Sequence, residues 1–393
     1  MKNKKINYID IFAWCGWLSL GFYNSKKRKW IFAIEKSTDA FETLKHNLIL
    51  KKNHYDRPSN IPCENYEINE FMDKYSTEIS GFENKVDLIM WWPPCQGFSL
   101  AGKRKHNDTR NSLVHSYISF VEKVKPKAVF FENVSWFTLP FKWQSKKNYS
   151  KDVIEKLTEL WYQVESKVVD FSEYWIPQKR KRFILVWFLW EEKKNFFELL
   201  DKEKKKFLEK KWLNESISIE EAISDLEKKN WIVDSSEFIG FKIWKYWKIK
   251  SSYQKFLRNW VKLKMPDSHR FANHTNRVEE RFWQIIKRKL SPDDIKKTFW
   301  LKKNSTRLLL SNLPAPTLTT LPDDCVHYSE PRILTVREYA RIQSFNDWFE
   351  FKGKYTTWGK QRTKETPRYT QIWNAIPPLF GELVGNVLSK LLN

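Results

Sequence analysis

Tyr8-Ile-Asp-Ile-Phe-Ala13 and, one amphipathic interval later, Trp30-Ile-Phe-Ala-Ile-Glu35 are short apolar runs of the kind that doubly covered strands require. Val86-Asp-Leu-Ile-Met90 and Ala128-Val-Phe-Phe-Glu132 repeat the pattern, and segments such as 112–124 between them have helical spacing. Residues 163–169 and 183–188 suit a closing hairpin. The alternation predicts an α/β domain with a parallel sheet flanked by helices, its ligands gathered at the carboxyl ends of the strands. A helix-like stretch, 379–392, ends the chain.

Outward from that core the texture changes. Residues 191–211 are highly charged, and the chain to about 305 loses the strand–helix rhythm. Lys242 to Lys264 interleaves Trp, Tyr, Phe, Lys and Arg, which suits a surface that grips nucleic acid, or equally an ordinary mixed core with a basic exterior. The formal net charge is +23. Such a surplus favours a polyanionic partner, because each neutralised phosphate releases counterions; a lysine-rich proteome would give the same number. Cys15, Cys63, Cys95 and Cys325 stand far apart with no CxxC pair, so neither a zinc site nor a disulfide framework is supported. A reducing, cytoplasmic setting fits. No apolar run approaches the roughly 20 residues that cross a bilayer, and the basic N-terminus lacks the apolar stretch of a signal peptide.

Three segments carry chemistry. Pro93-Pro94-Cys95-Gln96-Gly97-Phe98-Ser99 directly follows the strand that ends at Met90. Two prolines stiffen this turn and fix the direction of the cysteine, and a thiol at a strand's carboxyl end is well placed as a nucleophile. An isolated cysteine is otherwise a small buried hydrophobe. Phe131-Glu132-Asn133-Val134 ends the next strand, so Glu132 is expected near Cys95; a carboxyl in a dry pocket can stay protonated and donate to a ring nitrogen, or it can simply cap a helix. Gln178-Lys179-Arg180-Lys181-Arg182, read as one extended strand, points Gln178, Arg180 and Arg182 to one face and the lysines to the other. Three polar arms on one face can hold a carbonyl oxygen and nearby phosphates; a solvated charged strand is the alternative.

With Asp10-Ile-Phe-Ala-Trp-Cys-Gly-Trp-Leu-Ser-Leu-Gly-Phe22, the Pro-Pro-Cys-Gln loop, Glu-Asn-Val and Gln-x-Arg-x-Arg in that order, the chain resembles the DNA cytosine-5 methyltransferases. Arg332-Ile-Leu-Thr-Val-Arg-Glu-Tyr-Ala-Arg-Ile-Gln-Ser-Phe345 and Arg368-Tyr-Thr-Gln-Ile-Trp-Asn-Ala-Ile-Pro-Pro378 resemble the last two motifs of the same series. The resemblance spans residues 8–390, with an unmatched gap at about 191–305 where that family keeps its target-recognition region. It implies a Rossmann-like large domain, residues 1–190 plus 366–393, that binds S-adenosylmethionine. A smaller, mostly irregular and β target-recognition domain, 191–365, would read double-stranded DNA.

The resemblance also implies roles. Cys95 would attack C6 of a cytosine flipped out of the duplex, Glu132 would protonate or hydrogen-bond N3, and Arg182 with Arg180 would hold base and backbone. Phe12, Gly16, Leu18, Glu35, Glu67, Ile68, Pro94, Leu113 and Asn374 match cofactor-contacting positions, Glu35 on the ribose hydroxyls and Glu67 where the family usually has aspartate. Gln96, Ser99 and Gln178 match substrate-side positions, and the basic loop with Lys103, Arg104 and Arg110 would close over DNA. A restriction–modification or phage self-protection setting is expected, with a monomeric enzyme and a cognate endonuclease that forms no stable complex with it. A tRNA methyltransferase of the same family and a non-catalytic DNA-binding relative are the competitors; the Cys-Phe-Thr element of the tRNA enzymes is not seen.

The departures at the family's glycines all run one way. Trp14, Trp17, Trp91, Trp92, Trp136, Trp161, Trp175, Trp187 and Trp373 stand where the pattern has glycine. Tryptophan occurs 21 times and glycine 10 times, whereas usage near 7% would give about 27 glycines. Glycine in the first turn lets backbone approach the cofactor, so indoles at 14 and 17 should obstruct that cleft, and those at 91 and 92 should crowd the Pro-Pro-Cys turn. One reading accounts for both facts: the gene uses UGA for glycine, and the written tryptophans stand for it. A decayed gene is the alternative, but decay would not choose a single replacement.

Overall fold

The structure, a computed structural model, describes residues 5–26, 28–92, 113–138, 149–160, 162–189, 195–228, 232–235, 239–259, 261, 265–357, 361 and 364–393. It divides into two compact units. The first takes residues 1–170, 181–206 and 380–393; the second takes 171–180 and 207–379. The sequence reading drew its boundaries at 190/191 and 365/366 and did not separate 171–180.

The first unit is built on β1 (Ile6–Ile11), α1 (Trp17–Asn24), β2 (Arg28–Ile34), α2 (Thr38–Leu44), α3 (Ile68–Lys74), α4 (Ser76–Ser80), β3 (Leu88–Trp91), α5 (Leu113–Val124), β4 (Ala128–Val134), α6 (Tyr149–Glu159), β5 (Tyr162–Asp170) and β6 (Lys181–Leu189). Six strands form one sheet in the order β2-β1-β3-β4-β6-β5. The first four are parallel and the last two antiparallel. Strand composition explains the order. Every residue of β3 and β4 is buried, as a strand covered on both faces must be. The predicted hairpin forms from β5 and β6, and its apolar member β6, buried from Arg182 to Phe188, lies inside. β5, with exposed Ser166, Lys167 and Val168, takes the edge, where polar residues blunt further pairing.

The core cluster on one side of the sheet joins Ile9, Ile89, Phe131 and Leu185 to Phe71, Tyr117 and Val121 of the flanking helices. A helix from the far end of the chain closes the other side of the unit. From Phe380 onward, its glycines admit close packing: a Cβ on Gly381 would stand 3.0 Å from Leu18 Cδ1, and one on Gly385 2.9 Å from Phe22 Cδ1.

α7 (Phe196–Lys211) begins in the first unit and ends in the second. The second unit then carries α8 (Ile219–Ile223), β7 (Ile232–Asp234), β8 (Lys242–Trp244), α9 (Ser252–Leu257), α10 (Asn276–Arg288), α11 (Pro292–Thr298), β9 (Arg307–Leu308), β10 (Cys325–Val326), α12 (Val336–Ile342) and α13 (Arg368–Asn374). α14 (Pro378–Leu392) returns to the first unit. Between these short elements the second unit is irregular, with two ladders of two strands each.

Buried charge organises it. Thr335 caps α12 and forms a capping box with Glu338. Arg332 sends Nη1 and Nη2 to the two oxygens of Glu338, 2.7 Å each, and Nε to Glu330 at 2.6 Å. Arg337 bonds Asp267 at 2.9 Å and the Phe349 carbonyl at 2.6 Å. Arg341 lies between Asp225 and Asp347, donating to both and to the Ala222 carbonyl. The arginines of the penultimate motif are therefore structural ties within this unit. No described helix is long and apolar enough to cross a membrane.

Candidate active site

The sheet sets the site. β1, β3 and β4 run parallel, and their register aligns Ile11 with Trp91 and Trp91 with Phe131. Glu132 thus stands one residue beyond the partner of Trp91, level with Trp92, the last described residue before the segment that carries Cys95. β6 runs antiparallel beside β4, with Arg182 opposite Val134. Residues two apart share a face of a strand, so Glu132 and Arg182 are diagonal neighbours. Their side chains meet: Arg182 Nε is 2.8 Å from Glu132 Oε1, and both side chains are nearly buried. The sequence reading named both residues but not this pair. Its signal was the apolar run Phe183–Phe188, which marks β6 as the interior member of the hairpin.

Beyond β1 the chain makes a turn in which Phe12, Trp14 and Gly16 all have left-handed φ, 57°, 51° and 80°. Gly16 caps α1, and Leu18 is buried in its first turn. Glu35, just past β2, holds the turn from below. Its Oε2 accepts the Trp14 backbone N–H at 2.8 Å and its Oε1 the Ser37 N–H at 2.7 Å. Burial pushes the Glu35 carboxyl up to about 7, against the pull of the Ser37, Trp14 and Lys36 amides. Asp10, inside β1, is pushed up to about 7 by burial too, with the Ser19 hydroxyl donating to it at 2.5 Å and opposing the shift. Asp10 and Ser19 were absent from the predicted site. An acid within the apolar run Ile9–Ile11 was the signal available.

The other expected residues divide by place. Glu67 caps α3, its carboxylate accepting the Asn69 N–H at 2.8 Å and the Glu70 N–H at 3.3 Å, and Ile68 is buried behind it. Leu113 starts α5, half-buried. Pro94, Cys95, Gln96, Ser99, Lys103, Arg104 and Arg110 lie outside the described residues.

The single extended strand expected from Gln178 to Arg182 is corrected. Gln178 bridges to Ala315, the Lys179 N–H donates to the Ala315 carbonyl, and only from Lys181 does the chain enter β6. Pro177 accepts the Ala315 N–H, so this stretch pairs with another segment of the second unit before the hairpin begins. The predicted alternation survives as burial: 178, 180 and 182 are buried, 179 and 181 exposed. Gln178 Oε1 accepts the Leu318 N–H at 3.2 Å, and Arg180 Nη2 donates to the Trp373 carbonyl at 2.7 Å. Asn374, at the end of α13, keeps a buried Nδ2 with no partner among the described residues.

The family model for C-5 cytosine-specific DNA methylases matches residues 6–390. The chain belongs to this family. It is therefore a DNA cytosine-C5 methyltransferase, an enzyme, and methyltransferases of this family use S-adenosylmethionine generally. The methylase is 31% identical to the Type II methyltransferase M.DdeI of Desulfomicrobium norvegicum, over 98% of this chain and 88% of that protein. It is 29% identical to the Type II methyltransferase M.XorII of Xanthomonas oryzae pv. oryzae, over 98% of this chain and 84% of that one. Among solved structures, an E. coli protein described as a DNA modification methyltransferase encoded within a prophage shares the fold, with a TM-score of 0.66 at 21% identity over 99% and 100% of the two chains.

In this methylase the written residues do not fit the donor. Trp17 and Trp92 are buried, their rings 4.5 Å apart in edge contact, in the crevice beyond the carboxyl ends of β1 and β3 where an α/β sheet binds its ligand. Trp91 stacks on Tyr117 at 3.7 Å. Among the described residues, the indole N–H groups of Trp17, Trp91, Trp92 and Trp187 are buried without a hydrogen-bond partner, whereas Trp30 and Trp244 donate to the carbonyls of Phe32 and Lys228. An unpaired buried donor costs about 1–3 kcal/mol. All four orphaned indoles sit where the family has glycine; the two satisfied ones do not.

Proposed function

We propose that this methylase acts on cytosine within a specific duplex DNA site, as the modification partner of a restriction endonuclease, with Cys95 as nucleophile. The supporting observation is the register of β3 and β4, which sets the Glu132–Arg182 pair level with the segment that leads into Cys95. The Cys95 thiolate adds to C6 of the extruded base, and the bond between them makes C5 nucleophilic. Glu132 faces the ring edge at N3. Arg182 orients that carboxyl and, with Arg180, supplies cationic donors to the base carbonyl and phosphate. S-adenosylmethionine would supply the methyl group to C5 from its sulfonium, leaving as the neutral thioether, and loss of the C5 proton to a base then expels the cysteine as thiolate. Gln96, Ser99 and Gln178 line the substrate side, and Lys103, Arg104 and Arg110 close over the duplex.

On the cofactor side, Phe12, Gly16, Leu18, Glu35, Ile68, Pro94 and Leu113 form the donor pocket once glycine stands at 14, 17 and 92. Glu67 contributes through its cap on α3. The second unit reads the DNA site through base-edge contacts. The enzyme works as a monomer in the cytoplasm.

The test expresses the gene with glycine at the nine motif positions and sequences bisulfite-treated host DNA. Unconverted cytosines in one short motif, lost in Cys95→Ser, are expected. Methylation that persists in Cys95→Ser, or that appears in tRNA and not in DNA, overturns the reading.

A further inference from the structure

Two helices of the second unit end on tryptophan in a conformation that tryptophan rarely adopts. After α7, Trp212 has φ 56°; its N–H donates to the Glu209 carbonyl, and the Leu213 N–H reaches back to the Leu208 carbonyl. After α11, Trp300 has φ 51°, and the Leu301 N–H reaches the Lys296 carbonyl at 3.1 Å. These are the backbone bonds of the Schellman turn, whose left-handed residue is usually glycine because it has no Cβ. Neither indole gains from its place: Trp212 is 85% and Trp300 92% exposed. A bulky residue in the left-handed region without compensating contacts is an outlier.

The pattern reaches past these two turns. Among the described residues, four of the twelve non-glycine positions with left-handed φ are tryptophan: Trp14, Trp175, Trp212 and Trp300. Tryptophan's 21 places in 393 would give fewer than one. α10 ends the same way on Lys289, φ 48°, so a left-handed helix end does not by itself demand glycine here. The excess of the bulkiest side chain does.

We infer that Trp212 and Trp300 are glycines in the protein as its own cell makes it, read from the same reassigned codon as the nine motif positions. The inference rests on backbone geometry and stands whether or not the catalytic roles above hold. It also separates the two explanations of the missing glycines. Positions 212 and 300 lie outside every motif of the catalytic series, in surface turns where only local backbone geometry asks for glycine. Loss of a catalytic function would not select them, whereas a codon read differently throughout the gene reaches them as readily as the active site. Tryptophans whose indole is used, Trp30 and Trp244, belong to the ordinary UGG codon.

Peptide mass spectrometry of the protein purified from its native host tests this. Glycine in the peptides covering 212 and 300 is expected, with tryptophan at 30 and 244; tryptophan at 212 and 300 overturns it. A second measurement needs no native source. In the recombinant chain with glycine at the nine motif positions, Trp212→Gly and Trp300→Gly should each raise Tm by roughly 1–2 °C, and Trp212→Ala and Trp300→Ala should not. If alanine stabilises as much as glycine, the gain comes from removing an exposed ring, and the backbone argument falls.

Discussion

The buried polar groups of the second unit and those of the first-unit crevice behave in opposite ways. Around α12, Arg332, Arg337 and Arg341 are wholly buried, and each has carboxylates and carbonyls set at hydrogen-bond distance. Around the ends of β1 and β3, the indoles of Trp17, Trp91 and Trp92 are equally buried, and their N–H groups have no partner among the described residues. A folded chain tolerates buried charge when every donor is answered and rarely leaves a simple N–H unanswered. In the first region residue and site agree. In the second they do not, and the disagreement coincides with the positions where the family has glycine.

The largest effect should come from breaking the agreeing region. Arg341→Ala leaves Asp225 and Asp347 buried and facing each other; a loss of about 3–5 kcal/mol is expected in urea unfolding. A loss under 1 kcal/mol would mean that the network is not the tie described here.

The next effect sharpens the contrast among tryptophans. Trp30→Ala removes a satisfied indole packed against Tyr8 and Tyr55 and should cost about 3–5 kcal/mol. The triple variant Trp14→Gly, Trp17→Gly and Trp92→Gly should instead gain S-adenosylmethionine binding by calorimetry, where the tryptophan chain shows no heat. Equal destabilisation by both variants, with no donor binding in the triple, would erase the distinction between the two sets.

The smallest effect concerns pH. The folded-state carboxyls of Glu35 and Asp10 titrate near 7, above ordinary values of 4.5 and 3.8. Between about 4 and 7 the folded protein therefore holds more protons than the unfolded chain, so these groups make stability fall as pH rises through that window and level off above it. Glu35→Gln should flatten part of this slope in thermal melts. The proposed contact of the ionised Glu35 with the ribose hydroxyls predicts that donor affinity of the glycine-bearing enzyme strengthens between pH 6 and 8, up to roughly tenfold per unit, and that the Gln variant loses the trend. A wild-type affinity that is flat across this range would count against ribose contact by Glu35.

Much of this was legible in the chain. The four parallel strands were readable as apolar runs because a doubly covered strand leaves no room for alternation. Glu132 and Arg182 were each readable from their motifs. Their ion pair was not, since it depends on β6 and not β5 lying beside β4. Arg332, Arg337 and Arg341 were legible only as parts of a motif; what fixes them is a set of partners up to 119 residues away in sequence, the Ala222 carbonyl for Arg341 being the farthest. Glu67 was readable as an acid beside an apolar residue, but its cap on α3 appeared only once the helix start was placed.

The sequence alone determined the family, the order of the motifs and the one-directional exchange of glycine for tryptophan, because these are properties of residue type and spacing along the chain. Tertiary structure decided which buried polar groups are answered, which tryptophans sit in left-handed backbone, and that Trp212 and Trp300 join them. Hydrogen-bond satisfaction and the sign of φ depend on atoms brought together by folding, and no reading of neighbours in sequence contains them.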